Sequence, residues 1–266
     1  MLMTLALYLL LGAVAGIVAG LFGIGGGLLI VPVLIFSFQL QGVDAAVLTH
    51  MAVATSLATI VITSLSSVRA HHRHGAVRWE LFRPLAVGIL AGAVLGVNTA
   101  VQLSGGVLQV ALGTFALLVA AQMAFGLKPG AGDKGPGRTE LGISGGIIGW
   151  ASSIFGIGGG TLTVPYLSWR QVTMQQAVAT SAACGLPIAL MGALTNVWVG
   201  WGEAQLPDWS LGYVYLPAFV GIVMASSLTA PLGARLAHRL PQPVLKKVFA
   251  VFLVVVGGRF ILSNLG

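Results

Sequence analysis

Hydrophobic positions in this chain run on without interruption, for lengths that no soluble helix requires. Residues 1–43, 45–68, 84–127, 141–169, 171–202 and 209–234 contain no Asp, Glu, Lys or Arg. Each run exceeds the roughly 20 apolar residues needed to cross a bilayer. The pattern predicts full spans over about 45–68, 79–101, 105–127, 174–199, 211–234 and 244–263, and two glycine-interrupted segments over about 4–38 and 140–169. The opening stretch, MLMTLALYLLLGAVAGIVAG, lacks a basic n-region and continues past any cleavage site into a glycine motif, so it is expected to be retained.

The interruptions are copies of each other. Phe22-Gly23-Ile24-Gly25-Gly26-Gly27, followed by Val31-Pro32, recurs 133 residues later as Phe155-Gly156-Ile157-Gly158-Gly159-Gly160, followed by Val164-Pro165. A second echo follows each copy, with Ala52-Val53-Ala54-Thr55-Ser56 matched by Ala177-Val178-Ala179-Thr180-Ser181. Two motifs in the same order argue for duplication. The halves meet at the Gly/Pro-rich polar stretch KPGAGDKGPGR, which divides the chain into a first membrane repeat (1–127), a cytoplasmic linker (128–138) and a second membrane repeat (139–266).

Basic residues decide how the halves are oriented. Four simple crossings per half would make them parallel and leave only eight of the 13 Lys and Arg residues on one face. If instead each glycine-broken segment enters and leaves on the same face, three full crossings remain per half, and twelve of the 13 become cytoplasmic, Arg259 being the exception. Glu203, Asp208 and both termini then lie outside. An odd number of crossings turns the second half upside down relative to the first, as in many secondary transporters. The expected fold is an all-α polytopic membrane protein of two inverted repeats, each with a re-entrant, glycine-broken segment and about three transmembrane helices.

Composition narrows the function. With 57% hydrophobic and 7% charged residues, the chain cannot clothe a water-soluble surface. The net charge of +7 is scattered over loops, so it points to the lipid bilayer and its positive-inside asymmetry, not to nucleic acid. The one cysteine, Cys184, sits in an apolar run, and the His71-His72-Arg73-His74 cluster has no acidic or cysteine partner nearby and is flanked by further arginines. No metal or other cofactor is expected. The six acids, Asp44, Glu80, Asp133, Glu140, Glu203 and Asp208, fall at span ends or in loops, which disfavours a membrane-embedded enzyme. A non-transporting membrane subunit would not need two inverted broken segments.

The breaks carry the candidate chemistry. Three consecutive glycines with a fourth two residues earlier make a costly helix interior, and a break at membrane depth leaves backbone amides free. A half-helix starting after each break would aim its dipole and first N–H groups at an anion. The candidate substrate-binding residues are therefore Gly23, Gly25, Gly26, Gly27, Gly156, Gly158, Gly159 and Gly160, with Thr161 and Thr163 making the second copy more polar. Thr55, Ser56, Thr180 and Ser181 offer hydroxyls on the next span, and His50 is a candidate pathway residue. Close helix packing is the competing use of the glycines; their position-for-position recurrence beside a shared Val-Pro favours binding. The string is neither a dinucleotide fingerprint, since Leu28 replaces the last glycine, nor a P-loop, since no Gly-Lys-Ser/Thr follows.

At these residues the chain resembles the sulfite exporter TauE/SafE family of membrane permeases. The resemblance covers Phe22–Pro32, Ala52–Ser56, the central linker, Phe155–Pro165 and Ala177–Ser181, nearly the whole chain. It implies a multi-pass transporter of the cell inner membrane that exports a small anion, sulfite or an organosulfur anion such as sulfoacetate. The motif identifies the family; the choice among anions, the coupling ion and the oligomeric state have no signature in it.

Overall fold

The computed structural model describes residues 2–22, 26–73, 75–125, 136–237 and 242–265. Among them are ten helices: α1 (Leu2–Phe22), α2 (Gly27–Leu40), α3 (Ala45–Arg73), α4 (Trp79–Val101), α5 (Gly105–Phe125), α6 (Arg138–Phe155), α7 (Gly160–Trp169), α8 (Met174–Val199), α9 (Leu216–Ala237) and α10 (Gln242–Leu265). Five are long and apolar enough to cross a membrane: α3, α4, α5, α8 and the Lys247–Leu265 part of α10. The protein is an all-α polytopic membrane protein. The span expected over 211–234 differs at its start, where β1 (Ser210–Leu211) and β2 (Val214–Tyr215) form an antiparallel hairpin before α9. Its apolar Leu-Gly-Tyr-Val-Tyr-Leu run reads as membrane helix by hydropathy, but Gly212 with φ 52° turns the chain instead. Of the linker 128–138, residues 128–135 lie outside the described residues.

Each glycine-broken segment is a hairpin of two helices. At the open end of the first, Gln41 Nε2 donates to Tyr8 Oη at 2.7 Å and to Ser37 Oγ at 2.9 Å, and the Tyr8 and Phe38 rings meet edge-on. The start of α1 and the end of α2 are thus side by side. In the second hairpin, Glu140 near the start of α6 accepts from Tyr166 Oη at 3.1 Å and pairs with Arg170 just after α7. Arg170 also stacks over the Trp169 ring, 4.5 Å from its centroid. Both hairpins then turn through a left-handed residue, Gly42 (φ 72°) or Gln171 (φ 60°), with the same bonds: Val43 N to Phe38 O and Val172 N to Leu167 O, each 3.0 Å.

The halves interlock. Helix α1 packs along α9 of the second half, and α6, the counterpart of α1, packs along α4 of the first. Glycine makes these seams close: a Cβ on Gly12 would sit 2.7 Å from Ile222 Cα, and one on Gly149 would sit 2.5 Å from the Ile89 carbonyl oxygen. Two further pairs unite counterparts. Gly185 lies against Ser64 and Gly192 against Leu57, so α3 and α8 cross antiparallel; Gly113 and Gly257 abut where α5 and α10 do the same. The outer surface is apolar, with Val87, Leu95, Leu118, Leu228 and Leu262 all exposed, as lipid requires. Trp198, in the last turn of α8, and Trp201 and Trp209 after it are all exposed, as interfacial anchors are.

Candidate functional site

The second break is built by an early end to α6. Gly156 takes φ 64°, which a side chain resists, and the Gly156 and Ile157 amides both return to Ser152 O. The chain restarts at Gly160, where Thr163 N reaches back to Gly159 O at 2.8 Å. The first amides of α7 precede any intrahelical acceptor, so the helix itself leaves them without a partner. Pro165 has no N–H to give the Thr161 carbonyl four residues earlier. The first break restarts at Gly27 after Gly26, which is left-handed at φ 73°, whereas Gly159 is right-handed at φ −58°. Gly23 and Gly25 lie outside the described residues.

The two breaks meet. A Cβ on Gly27 would be 2.7 Å from Gly156 O and 2.8 Å from Ile157 Cα; one on Gly159 would be 2.7 Å from Ser181 O and 3.0 Å from Gly185 N. A Cβ on Gly158 would meet only Ile60 Cγ2, at 3.5 Å. The second break is therefore held between the crossing helices α3 and α8 with the start of α2 beside it. Ser56 ties this arrangement by donating to Gly156 O at 2.8 Å.

Hydroxyls divide into two groups. Thr55 Oγ1 accepts the Tyr215 amide at 3.0 Å, and its counterpart Thr180 Oγ1 accepts the Arg78 amide at 3.0 Å. The hydroxyls of Ser152, Ser153, Thr161, Thr163 and Ser181 are buried with no partner. A buried hydroxyl left unpaired costs about 1–3 kcal/mol, so five around one break mark the second half as the more polar side. Their first-half counterparts, apart from Ser56, are Ala19, Gly20, Leu28 and Ile30, none of which carries a side-chain donor. Among the described residues no carboxylate or cation contributes to this centre. His50 stands apart from it: its Nε2 lies 3.1 Å from Ala100 O, its ring meets Tyr213 at 5.6 Å, and its Nδ1 is buried without a partner.

The family described as sulfite exporter TauE/SafE matches residues 8–260, which takes in both hairpins and all ten helices in whole or part. The chain belongs to this family. Among curated relatives, a probable membrane transporter protein of Haemophilus influenzae is 39% identical over 94% of this chain and 95% of its own. Another, from Methanocaldococcus jannaschii, is 29% identical over 96% of this chain and 95% of its own. No solved structure matches. As a TauE/SafE member the protein is a multi-pass membrane transporter. Sequence reasoning missed two features of this family member: Ser152 and Ser153, which precede the motif, and a third repeated element. Gly75-Ala76-Val77-Arg78 and Gly212-Tyr213-Val214-Tyr215 each precede the fourth helix of a half. Their separation of 137 residues differs from the 133 of the glycine motif, and only Gly and Val are shared, which hid them.

Proposed function

We propose that this chain is a secondary transporter that exports a small sulfur-containing oxyanion, sulfite or an organosulfonate such as sulfoacetate, across the inner membrane. The abutting glycine breaks carry this reading, because they place backbone amides beside buried, unpartnered hydroxyls at the centre of the molecule. Hydroxyl and amide donors suit a ligand that presents several acceptor oxygens. Such a ligand would take the Ser181 hydroxyl together with the first α7 amides, and a threonine hydroxyl of α7 where that side chain faces the break, which a single spherical ion does less well. The amides of Gly158, Gly159 and Gly160 and the α7 dipole supply positive potential without a fixed cation in the bilayer.

In this reading the two hairpins are re-entrant, residues 1–127 and 139–266 are inverted repeats, and 128–138 is the cytoplasmic linker. The antiparallel crossing of α3 with α8 and of α5 with α10 favours the inversion, since counterparts related by a two-fold axis in the membrane plane run in opposite directions.

Thermal unfolding of the purified protein with sulfite, thiosulfate, sulfoacetate, sulfate or chloride tests the substrate class. A true ligand stabilises in proportion to the logarithm of its excess, by ~2.7 kcal/mol at a hundredfold excess over Kd. Stabilisation by chloride alone would overturn the oxyanion reading.

A further inference from the structure

The Gly-x-Val-x segments that precede the two fourth helices do the same thing on opposite halves. Gly75 (φ 63°) and Gly212 (φ 52°) are both left-handed. The next two residues are buried in each case: Ala76 and Val77 are each 7% exposed, Tyr213 and Val214 are 6% and 4%. The fourth then donates its amide across the interface between halves, Arg78 to Thr180 and Tyr215 to Thr55. Each accepting threonine is adjacent to a serine at the break, Ser181 or Ser56. Tyr215 additionally meets Tyr8 at 6.0 Å and Phe38 at 5.7 Å, where it covers the first hairpin. Val77 and Ala76 pack on Ala179 and Ala183, beneath the Arg78 to Gln176 side-chain bond.

Both segments reach deep. At ~1.5 Å per residue, Thr55 is roughly 15 Å along α3 and Thr180 roughly 9 Å along α8. Each segment starts or ends nearer the surface, Gly75 being exposed and the Arg78 side chain 40% exposed, but its middle two residues are buried between one end of the molecule and the breaks. Both threonine contacts are closed at once, and Thr55, Ser56, Thr180 and Ser181 are at most 1% exposed.

We propose that residues 75–78 and 212–215 are the two gates of the transport pathway, each held shut by a latch in which a threonine of the opposite half accepts a single backbone N–H. The inference rests on the transporter reading. Because each latch belongs to one half's gate and the other half's third helix, a tilt of α3 against α8 lengthens one contact while preserving the other. Substrate at the breaks would meet the free Ser181 hydroxyl beside the Thr180 latch, and would reach the Thr55 latch through the Gly156 carbonyl that Ser56 holds, which couples occupancy to opening. In this structure both gates are shut, the occluded arrangement such a cycle must pass through.

Single cysteines at Val77 or Val214, in a Cys184→Ala background that serves as the reference, report gate opening through their rate of labelling by a membrane-impermeant maleimide. Right-side-out and inside-out vesicles are compared. Thr55→Val is expected to raise labelling at 214 several-fold from one face and leave 77 unchanged; Thr180→Val should do the reverse from the other face. Thr55→Ser and Thr180→Ser, which keep the acceptor, should restore the reference rates, and Thr→Ala replaces Thr→Val should the bulkier side chain prevent folding. Unchanged labelling, or an equal rise at both positions, would overturn the gate assignment. The readout needs no substrate, so an incorrect choice of anion would show in the unfolding experiment and leave this one intact.

Discussion

Ser56 on α3 donates its hydroxyl proton to the carbonyl oxygen of Gly156 across 100 residues of sequence, at 2.8 Å. Its repeat counterpart, Ser181 on α8, is as deeply buried and has no partner. Equivalent residues thus have different occupations, one structural and one available. Replacing Ser56 by Ala should leave the Gly156 carbonyl unpaired and cost about 1–3 kcal/mol of stability. Ser181→Ala should leave the apo protein at or above wild-type stability and weaken the stabilisation given by the anion. Thermal unfolding with and without ligand separates the two outcomes.

Glycine at 158 and glycine at 159 serve different needs. Gly159→Ala pushes a methyl to within 2.7 Å of Ser181 O and should lower the yield of folded protein. Gly158→Ala makes only an ordinary contact, so stability should stay within about 1 kcal/mol of wild type, the usual scale of a Gly-to-Ala change. Transport should nonetheless fall, because that methyl enters the space beside the break. Normal flux in a well-folded Gly158→Ala protein would argue that this backbone does not face the ligand.

The seam between α4 and α6 depends on absent side chains. Gly149→Val should cost more than about 3 kcal/mol, since overpacking forces the Ile89 backbone away. Gly142→Ala, whose Cβ would be 4.0 Å from Pro84 O, is the matched control and should accumulate normally. Expression and size-exclusion profiles in detergent check both.

The spans and the breaks were legible because hydrocarbon tolerates so few sequences: a charge-free run of twenty residues and a triple glycine leave little choice of structure. The hairpin form of 4–38 and 140–169 was legible from loop charge, and Tyr8 with Gln41 and Glu140 with Arg170 now close those hairpins. What sequence could not weigh was the second use of a hydroxyl. Thr55 and Thr180 recur for the same reason as Ser56 and Ser181 on paper, yet each threonine accepts a loop amide from the other half, a partner more than 100 residues away. Nor does hydropathy separate a short buried β-turn from the first turn of a span, which is why 211–215 was read as helix.

Loop charges make a sharp statement about sidedness. Arg73 is the last residue of α3, and Lys134 and Arg239 lie outside the described residues; all three should be cytoplasmic, and Glu203 external. Single cysteines at these four positions in a Cys184-free background, labelled from one face at a time, test the arrangement. Arg239 on the same face as Glu203 would sink the inverted reading.

The driving force follows from where the carboxylates are. Asp44 precedes α3, Glu80 and Glu140 occupy first turns of α4 and α6, and Glu203 and Asp208 are in the loop before β1. Among the described residues no helix interior holds an acid to carry a coupled proton. With the cytoplasm negative, moving one negative charge outward is downhill by ~2.3 kcal/mol per 100 mV, and a dianion doubles that. At ~1.4 kcal/mol per factor of ten, this sustains a roughly fortyfold gradient of a monovalent anion. Lys and Arg side chains at the cytoplasmic entrance would concentrate the anion there, an effect that weakens as salt shortens the Debye length. In proteoliposomes with a clamped potential and no pH gradient, sulfite flux should therefore follow the voltage, and raising ionic strength should lower its initial rate at low substrate. Flux that responds only to a proton gradient would rule out purely electrical export and make the buried His50 the first residue to replace in the search for a coupling group.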